Sequence, residues 1–218
     1  LFSRGFIKTG LGKRIAYNLI SAFGSSSLRL AYALALSDLI LAPATPSNTA
    51  RVGGVIMPIT TSLAKAFGSE PQDGPRKIGS FLMQSIYQVN TITSAMFQTS
   101  MAGNTLVAAL ALQSFGIGIT WGDWAMAAIV PGIIALLIMP YFIYKVYPPE
   151  IRDAREAQQM IREELKGLGK MSFQEWVMLG VFILALVLWA TSQFTKLDAT
   201  TVAFLGISIL LATGVLIW

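Results

Sequence analysis

The sequence contains no cysteine and no histidine. The lack of cysteine excludes disulfide bonds and thiol chemistry. The lack of histidine excludes the Ser–His and Cys–His pairs of nucleophilic enzymes and the usual zinc sites. Movement of a substrate is therefore favoured over bond cleavage as the chemistry of this chain.

Charged residues are also scarce. They make up 12% of the 218 residues, whereas hydrophobic residues make up 54%, and the mean hydropathy is +0.62. Soluble domains carry about 25% charged residues. This balance excludes disordered, coiled-coil, collagen-like and nucleic-acid-binding proteins. It predicts an all-α integral membrane protein with polytopic helices, and the non-methionine start at Leu1 is interpreted as that of a fragment of a longer chain.

Several stretches satisfy the length of about 20 apolar residues that a spanning helix needs. Residues 124–145 predict one transmembrane helix, and residues 173–218 predict two more. Residues 148–170 place apolar residues at helical spacing among Arg and Glu, which predicts an amphipathic helix; a solvated connecting helix is the alternative. Residues 1–24 are interpreted as the end of a preceding span and a basic interfacial helix.

Residues 25–68 predict a re-entrant helical hairpin. Pro43 and Pro46 end its first helix, because proline lacks an N–H and restricts the residue before it. The apolar run that follows, residues 52–64, is too short to cross a bilayer. Irregular backbone at membrane depth is tolerated only where protein buries it or where it lines a wet cavity.

Residues 78–116 predict a discontinuous helix. The stretch contains no charged residue, is polar in its first part, and is too long for one ordinary span. Residues 102–105 (Ala-Gly-Asn-Thr) are interpreted as the break within it, followed by a short apolar helix.

Lysine and arginine are distributed unequally if the hairpin starts and ends on the same side. Fourteen of them then share one face, and the opposite face has only Lys196, with Arg51 near the hairpin tip. By the positive-inside rule the crowded face is cytoplasmic. This distribution explains the net charge of +5 without nucleic acid.

The candidate site is the hairpin tip, where a half-helix would start at Ser47, Asn48 and Thr49. Unpaired N–H groups at such a start attract an anion, and the three side chains add uncharged donors for a carboxylate. The alternative is a plain N-cap at a kinked helix. A second polar cluster surrounds the other predicted break, and its alternative role is interhelical hydrogen bonding. That cluster is Thr93, Ser94, Thr99, Asn104 and Thr105.

Arg51 and Asp38 are ionisable residues in or near apolar segments, where such groups are functional candidates by default. Arg51 would face a bound dianion or stand in for a coupling cation, and Asp38 would be a proton or cation site. The alternatives are a structural pair between the two residues, or snorkelling of Arg51.

Residues 37–54, with the sequence SDLILAPATPSNTARVGG, closely resemble the divalent anion:sodium symporter family. The similarity is greatest to the branch of bacterial citrate, tartrate and succinate antiporters and plastid 2-oxoglutarate/malate translocators. Three further stretches agree: RGFIKTGLG (4–12), VYPPE (146–150) and EWVMLG (175–180). The resemblance covers essentially the whole chain, as a portion of less than half of a full family member.

The resemblance implies a fragment of an inverted-repeat elevator transporter, with a homodimer whose protomers each have a scaffold and a mobile transport domain. Residues 25–68 and 78–116 would belong to the transport domain, and residues 173–218 would start a truncated second repeat. It also implies that Ser47, Asn48 and Thr49 contact a substrate carboxylate. Together with the ionisable and polar candidates above, the expected substrate-binding set is Ser47, Asn48, Thr49, Arg51, Thr93, Ser94, Asn104 and Thr105.

In sodium-coupled members the same region forms a cation site, here Ser47, Asn48, Ser94 and Asn104. Those members carry a glycine pair and a Pro-Asn where this sequence has Thr93-Ser94 and Gly103-Asn104, which favours exchange without sodium. We therefore expect a secondary transporter that exchanges di- or tricarboxylates in a membrane, a bacterial inner membrane before a plastid envelope, with no cofactor. The alternatives are a sodium-coupled dicarboxylate symporter, a channel, a membrane enzyme and a structural membrane subunit.

Overall fold

The computed structural model describes residues 2–216, and the regular structure in this range is helical, without β-strands. The helices are α1 (Phe2–Thr9), α2 (Leu11–Phe23), α3 (Ser27–Leu41), α4 (Asn48–Arg51), α5 (Met57–Ala66), α6 (Gly79–Met96), α7 (Ala102–Phe115), α8 (Trp121–Val146), α9 (Arg155–Gly167), α10 (Phe173–Ala190), α11 (Ser192–Thr195) and α12 (Ala199–Ala212). The all-α prediction is confirmed.

Three helical segments in the described part of the chain are long and apolar enough to cross a membrane: Ser27–Ala44, Trp121–Val146 and Phe173–Ala190. The last predicted span is shorter than expected, because α12 ends at Ala212. Gly214 adopts a left-handed conformation there, with φ 71°, and the Leu216 amide bonds back to the Leu210 carbonyl. Residues 217 and 218 lie outside the described residues.

The predicted hairpin consists of α3, a 3₁₀ turn at Ala42–Ala44, and a second helical run from α4 to α5. A π-helical segment, Val52–Ile56, joins α4 to α5 and was not expected from the sequence. Pro58 has no N–H for the carbonyl four residues earlier, and the wider π turn accommodates this loss.

The discontinuous helix is formed by α6 and α7, but its break lies earlier than predicted. Residues 97–101 separate the two helices, and residues 102–105 form the first turn of α7. The prediction of a break at Ala-Gly-Asn-Thr was therefore wrong. The Ser100 hydroxyl bonds to the Ser94 and Phe97 carbonyls at the end of α6, while Gln98 and Thr99 bond to the Ile119 and Pro43 carbonyls, so the polar run interrupts the helix before the glycine does.

Helix α8 is the long span of the structure and continues through Pro131 and Pro140. It begins at Trp121, three residues before the predicted start, because Thr120 and Asp123 form a reciprocal capping box. Close packing of α8 on α6 depends on Gly132, where an added Cβ would lie 2.6 Å from the Cγ of Met96.

The amphipathic segment is helical only from Arg155, because residues 148–154 are irregular and hydrogen-bond to neighbouring segments. The Ser27 amide donates to the Arg152 carbonyl, and the Ala154 amide donates to the Ser25 carbonyl. Helix α9 then packs on α2, with its apolar face buried. Helix α9 therefore braces α2 and is not a freely solvated connection.

Candidate functional site

The hairpin tip lies between α3 and α4, where Pro43 and Pro46 interrupt the helical hydrogen bonds. Ser47 is the N-cap of the helix that starts at Asn48. Its Oγ accepts a hydrogen bond from the Ala50 amide at 3.2 Å. The capping role, which was the alternative interpretation of Ser47, is therefore present.

Asn48 and Thr49 present polar groups at the surface of the tip. The Asn48 Oδ1 accepts hydrogen bonds from the Thr49 amide at 2.9 Å and from the Thr49 hydroxyl at 3.4 Å. Within the described residues, the Asn48 amide nitrogen donates to no protein group. Asn48 is half-buried and Thr49 is exposed, so an outside acceptor can reach this amide.

The second break is held by two side chains. Asn104 Nδ2 donates to the Ser94 carbonyl at 2.7 Å and to the Phe97 carbonyl at 2.9 Å. The Ser100 hydroxyl lies 2.7 Å from each of the same two oxygens. These contacts satisfy carbonyls that the end of α6 leaves without helical partners.

Arg51 connects the two breaks. Its side chain is fully buried, and each of its five N–H groups has an oxygen partner. We call these five oxygens the Arg51 cage: Asp38 Oδ1 at 2.8 Å from Nε, the Thr45 and Ser100 carbonyls at 3.2 and 3.3 Å from Nη1, and the Thr93 and Ser94 hydroxyls at 3.2 and 3.0 Å from Nη2.

Asp38 balances the charge of Arg51. Its carboxylate is 2% exposed, and its second oxygen accepts hydrogen bonds from the Thr93 hydroxyl and, at 3.5 Å, from Asn90 Nδ2. A buried ion pair is tolerated when hydrogen bonds satisfy its remaining atoms, as they do here. The pairing of Arg51 with Asp38 is thus present, and snorkelling of Arg51 to the surface is wrong.

Thr99 forms a second link between the breaks. Its hydroxyl donates to the Pro43 carbonyl at 2.5 Å and accepts a hydrogen bond from Trp121 Nε1 at 2.9 Å. Trp121 also stacks on Phe97 and on Trp189, with ring centroids 5.7 and 6.3 Å apart. The start of α8 therefore packs directly against the second break.

The structure brings together only part of the expected set. Arg51, Thr93 and Ser94 are in direct contact, and Asn104 adjoins them through the Ser94 carbonyl. Thr105 is exposed, and its hydroxyl donates to the Ala102 carbonyl at 2.8 Å. Among the described residues, no hydrogen bond joins the side chains of Ser47, Asn48 or Thr49 to the cage, and the nearby Thr45 contributes its backbone carbonyl to it.

Three of the four side chains expected for the sodium-coupled alternative accept hydrogen bonds within the protein, whereas only the amide nitrogen of Asn104 is engaged among the described residues. The Ser47 hydroxyl, the Asn48 carbonyl oxygen and the Ser94 hydroxyl already accept hydrogen bonds from protein donors. Among the described residues there is also no group of three or more His, Cys, Asp or Glu that could hold a metal ion.

The sequence did not reveal the backbone carbonyls of Thr45 and Ser100 or the indole of Trp121. The available signal was indirect: each predicted helix break leaves carbonyls without donors, and a buried arginine is the side chain with the most donors to offer.

Comparison with known proteins identifies the family of this chain. The transmembrane region of the sodium:sulfate symporter family matches residues 1–218. The chain belongs to that family. The resemblance to divalent anion:sodium symporters is therefore confirmed, and the family is one of membrane transporters and not of enzymes.

Three relatives illustrate the match. The chain is 52% identical to the malate transporter candidate YflS of Bacillus subtilis, over 99% of this chain and 45% of the relative. It is 47% identical to the chloroplastic dicarboxylate transporter 1 of Spinacia oleracea, over 100% of this chain and 38% of the relative. It is also 47% identical to the inner membrane protein YbhI of Escherichia coli, over 99% of this chain and 45% of the relative. The chain thus spans less than half the length of these relatives.

Proposed function

We propose that this chain is part of a secondary transporter that exchanges di- or tricarboxylates, such as succinate, malate, tartrate, 2-oxoglutarate or citrate, across a membrane. The names of two relatives, a malate transporter candidate and a dicarboxylate transporter, support this substrate class. Sodium-coupled symport is the second candidate, favoured by the description of the family itself.

In this proposal the hairpin tip holds one substrate carboxylate. The uncommitted Asn48 amide and the exposed Thr49 hydroxyl supply donors, and Ser47 fixes the start of the helix behind them. Uncharged donors at a half-helix start suit a carboxylate that has to be released again, because they avoid a full ion pair with the substrate. Thr105, also exposed, is proposed to lie beside the bound anion.

The observation that carries the exchange mechanism is the Arg51 cage. Its carboxylate, carbonyl and hydroxyl oxygens are the ligand types that hard cations select, and a guanidinium fills the space between them. We propose that Arg51 is a covalently attached substitute for the coupling cation, with Thr93, Ser94 and Asn104 as its supports. Because this cation cannot dissociate, transport does not need sodium. The substrate site then returns across the membrane with a counter-substrate bound.

The cage also supports an elevator-type movement. It fastens α3, the start of the second hairpin helix and the break between α6 and α7 to one guanidinium. A unit joined in this way would carry the site across the membrane as one body. The homodimer and the second hairpin, both implied by the family resemblance, complete the proposal.

The test uses the full-length transporter in liposomes that are either empty or preloaded with malate, succinate or 2-oxoglutarate. Uptake of labelled malate is followed in sodium buffer and in choline buffer. Exchange predicts uptake only into preloaded vesicles, at the same rate in both buffers. Uptake into empty vesicles that requires sodium would instead establish symport, and uptake without saturation would indicate a channel.

A further inference from the structure

A cavity of about 390 Å³ lies between α1, α2, α9 and the part of the hairpin formed by the π-helical segment and α5. Its apolar wall includes Phe6, Ile7, Val55, Pro58 and Ile59. Glycines allow the hairpin to approach α1 here, since a Cβ at position 54 would lie 2.4 Å from the Ile7 Cδ1.

One end of the cavity carries two opposite charges. Lys13 Nζ lies 3.7 Å from a carboxylate oxygen of Glu164, and both side chains are about half exposed, at 46% and 53%. Exposed pairs of this kind contribute little stability and separate readily. A ligand with its own positive and negative group can therefore insert between them.

Tyr17 is the second feature that indicates a ligand. Its side chain is only 4% exposed and lines the cavity, beneath the Lys13 ammonium at 4.9 Å from the ring centroid. Within the described residues its hydroxyl forms no hydrogen bond. The hydroxyl oxygen is not closed off from solvent, so it is available to donate to a ligand acceptor.

The elements around the cavity belong to the face where lysine and arginine are concentrated, which the positive-inside rule assigns to the cytoplasmic membrane surface. A ligand at this level of a membrane would be a phospholipid. The cavity combines an apolar wall with one positive and one negative side chain, which matches a zwitterionic headgroup and the start of its acyl chain.

We propose that the cavity is a binding site for a phospholipid with a primary ammonium, a phosphatidylethanolamine. Its phosphate accepts hydrogen bonds from Lys13 and Tyr17, its ammonium donates to Glu164, and the start of one acyl chain lies along the apolar wall. The site is separate from the carboxylate site, because none of the residues proposed to bind the carboxylate lines this cavity.

The charge pattern gives an order of preference among lipids. Phosphatidylcholine carries the positive charge but has no N–H to donate to Glu164, and phosphatidylglycerol has no positive charge at all. Because a hydrogen bond to a charged group contributes about 1.5–3 kcal/mol in proteins, each lost contact should lower retention about tenfold or more.

The experiment uses the full-length protein, delipidated in detergent and then exposed to an equimolar mixture of dioleoyl phosphatidylethanolamine, phosphatidylcholine and phosphatidylglycerol. Lipid retained after gel filtration is measured by mass spectrometry. The proposal expects retention of phosphatidylethanolamine above the other two. Lys13→Gln and Tyr17→Phe should reduce it about tenfold, and Glu164→Gln should abolish the preference over phosphatidylglycerol.

Lys65→Gln is the matched control, since Lys65 is an exposed lysine on the same face that does not line the cavity. It should retain lipid as the wild type does.

Equal retention of the three lipids, or unchanged retention in Lys13→Gln and Glu164→Gln, overturns the proposal and indicates that another segment of the protein fills the cavity. Competition by soluble glycerophosphoethanolamine as strong as by the lipid overturns the acyl-chain contact. The assay involves no carboxylate transport, so its failure leaves the proposed exchange untouched.

Discussion

Arg51 and Asp38 form an ion pair that is closed to solvent, with Nε 2.8 Å from Oδ1. The pair crosses the hairpin tip, since Asp38 lies on α3 and Arg51 ends α4. The remaining guanidinium donors extend to the second helix break. One side chain thus fixes the relative positions of both interrupted helices.

The first prediction concerns the stability of this pair. Asp38→Asn leaves the Arg51 charge buried without its partner, and such a loss destabilises a protein by about 3–5 kcal/mol. The thermal unfolding midpoint of the full-length protein in detergent should fall accordingly.

Asp153→Asn provides the comparison for that variant. Asp153 is paired with Arg155 at the surface, and the hydrogen bonds that Arg155 donates lower the pKa of Asp153 to about 2, so it is charged at any ordinary pH. Loss of this exposed pair should leave the midpoint unchanged. A midpoint for Asp38→Asn equal to that of Asp153→Asn would contradict the structural role of the buried pair.

The second prediction concerns Asn48. If its free amide donates to a substrate carboxylate, Asn48→Ala should raise the KM for malate about tenfold or more, because a hydrogen bond to a charged group is lost. Asn18→Ala is the control, since Asn18 is an exposed asparagine on α2 whose amide donates to the Arg14 carbonyl. Equal KM values for the wild type and Asn48→Ala would show that the hairpin tip does not bind the substrate.

The third prediction concerns the link through Thr99. Thr99→Val keeps the shape but leaves Trp121 Nε1 and the Pro43 carbonyl without partners, which costs about 1–3 kcal/mol for a buried polar group. Thr91→Val is the control, because the Thr91 hydroxyl is exposed and bonds within its own helix. In a double-mutant cycle of unfolding midpoints, Thr99→Val and Trp121→Phe should be less than additive. Strict additivity would show that the two side chains do not cooperate.

The fourth prediction concerns the contact between α6 and α8. Gly132→Ala places a Cβ against Met96, and overpacking of this kind costs about 1–3 kcal/mol. Gly180→Ala has open space around its Cβ and should be neutral or slightly stabilising, because alanine favours helix more than glycine does. Similar unfolding midpoints for the two variants would mean that the close contact does not hold α8 in place.

The sequence was informative wherever a property is local. Apolar length predicts α8 and α10, prolines indicate the hairpin tip, and two ionisable residues in apolar segments indicate a pair of Arg51 with Asp38 as one alternative. The π-helical segment and the position of the second break were not accessible in this way, because each depends on which carbonyls find donors in a neighbouring element. Ser100 and Asn104 stabilise the break between α6 and α7 through such hydrogen bonds. Residue spacing in the sequence does not predict them.

The same limit explains the incomplete view of the site. The side chains that surround Arg51 form a polar cluster that the sequence indicates, yet the carbonyls of Thr45 and Ser100 have no side-chain signature. For that reason the sequence leaves open whether Arg51 faces a bound dianion or stands in for a coupling cation. All five N–H groups are engaged by protein oxygens, which makes Arg51 a substitute cation in our proposal.

The most direct test of this central claim is to remove the guanidinium and leave its cage. Arg51→Ala in the full-length transporter retains Asp38 and the four other oxygens, so we predict slow malate exchange in choline buffer and partial recovery in sodium buffer. The wild type should exchange equally in both. Arg51→Ala combined with Asp38→Asn lacks the negative charge and should not recover. Sodium-dependent exchange by the wild type, or an Arg51→Ala variant that is as active as the wild type in choline, would contradict the account.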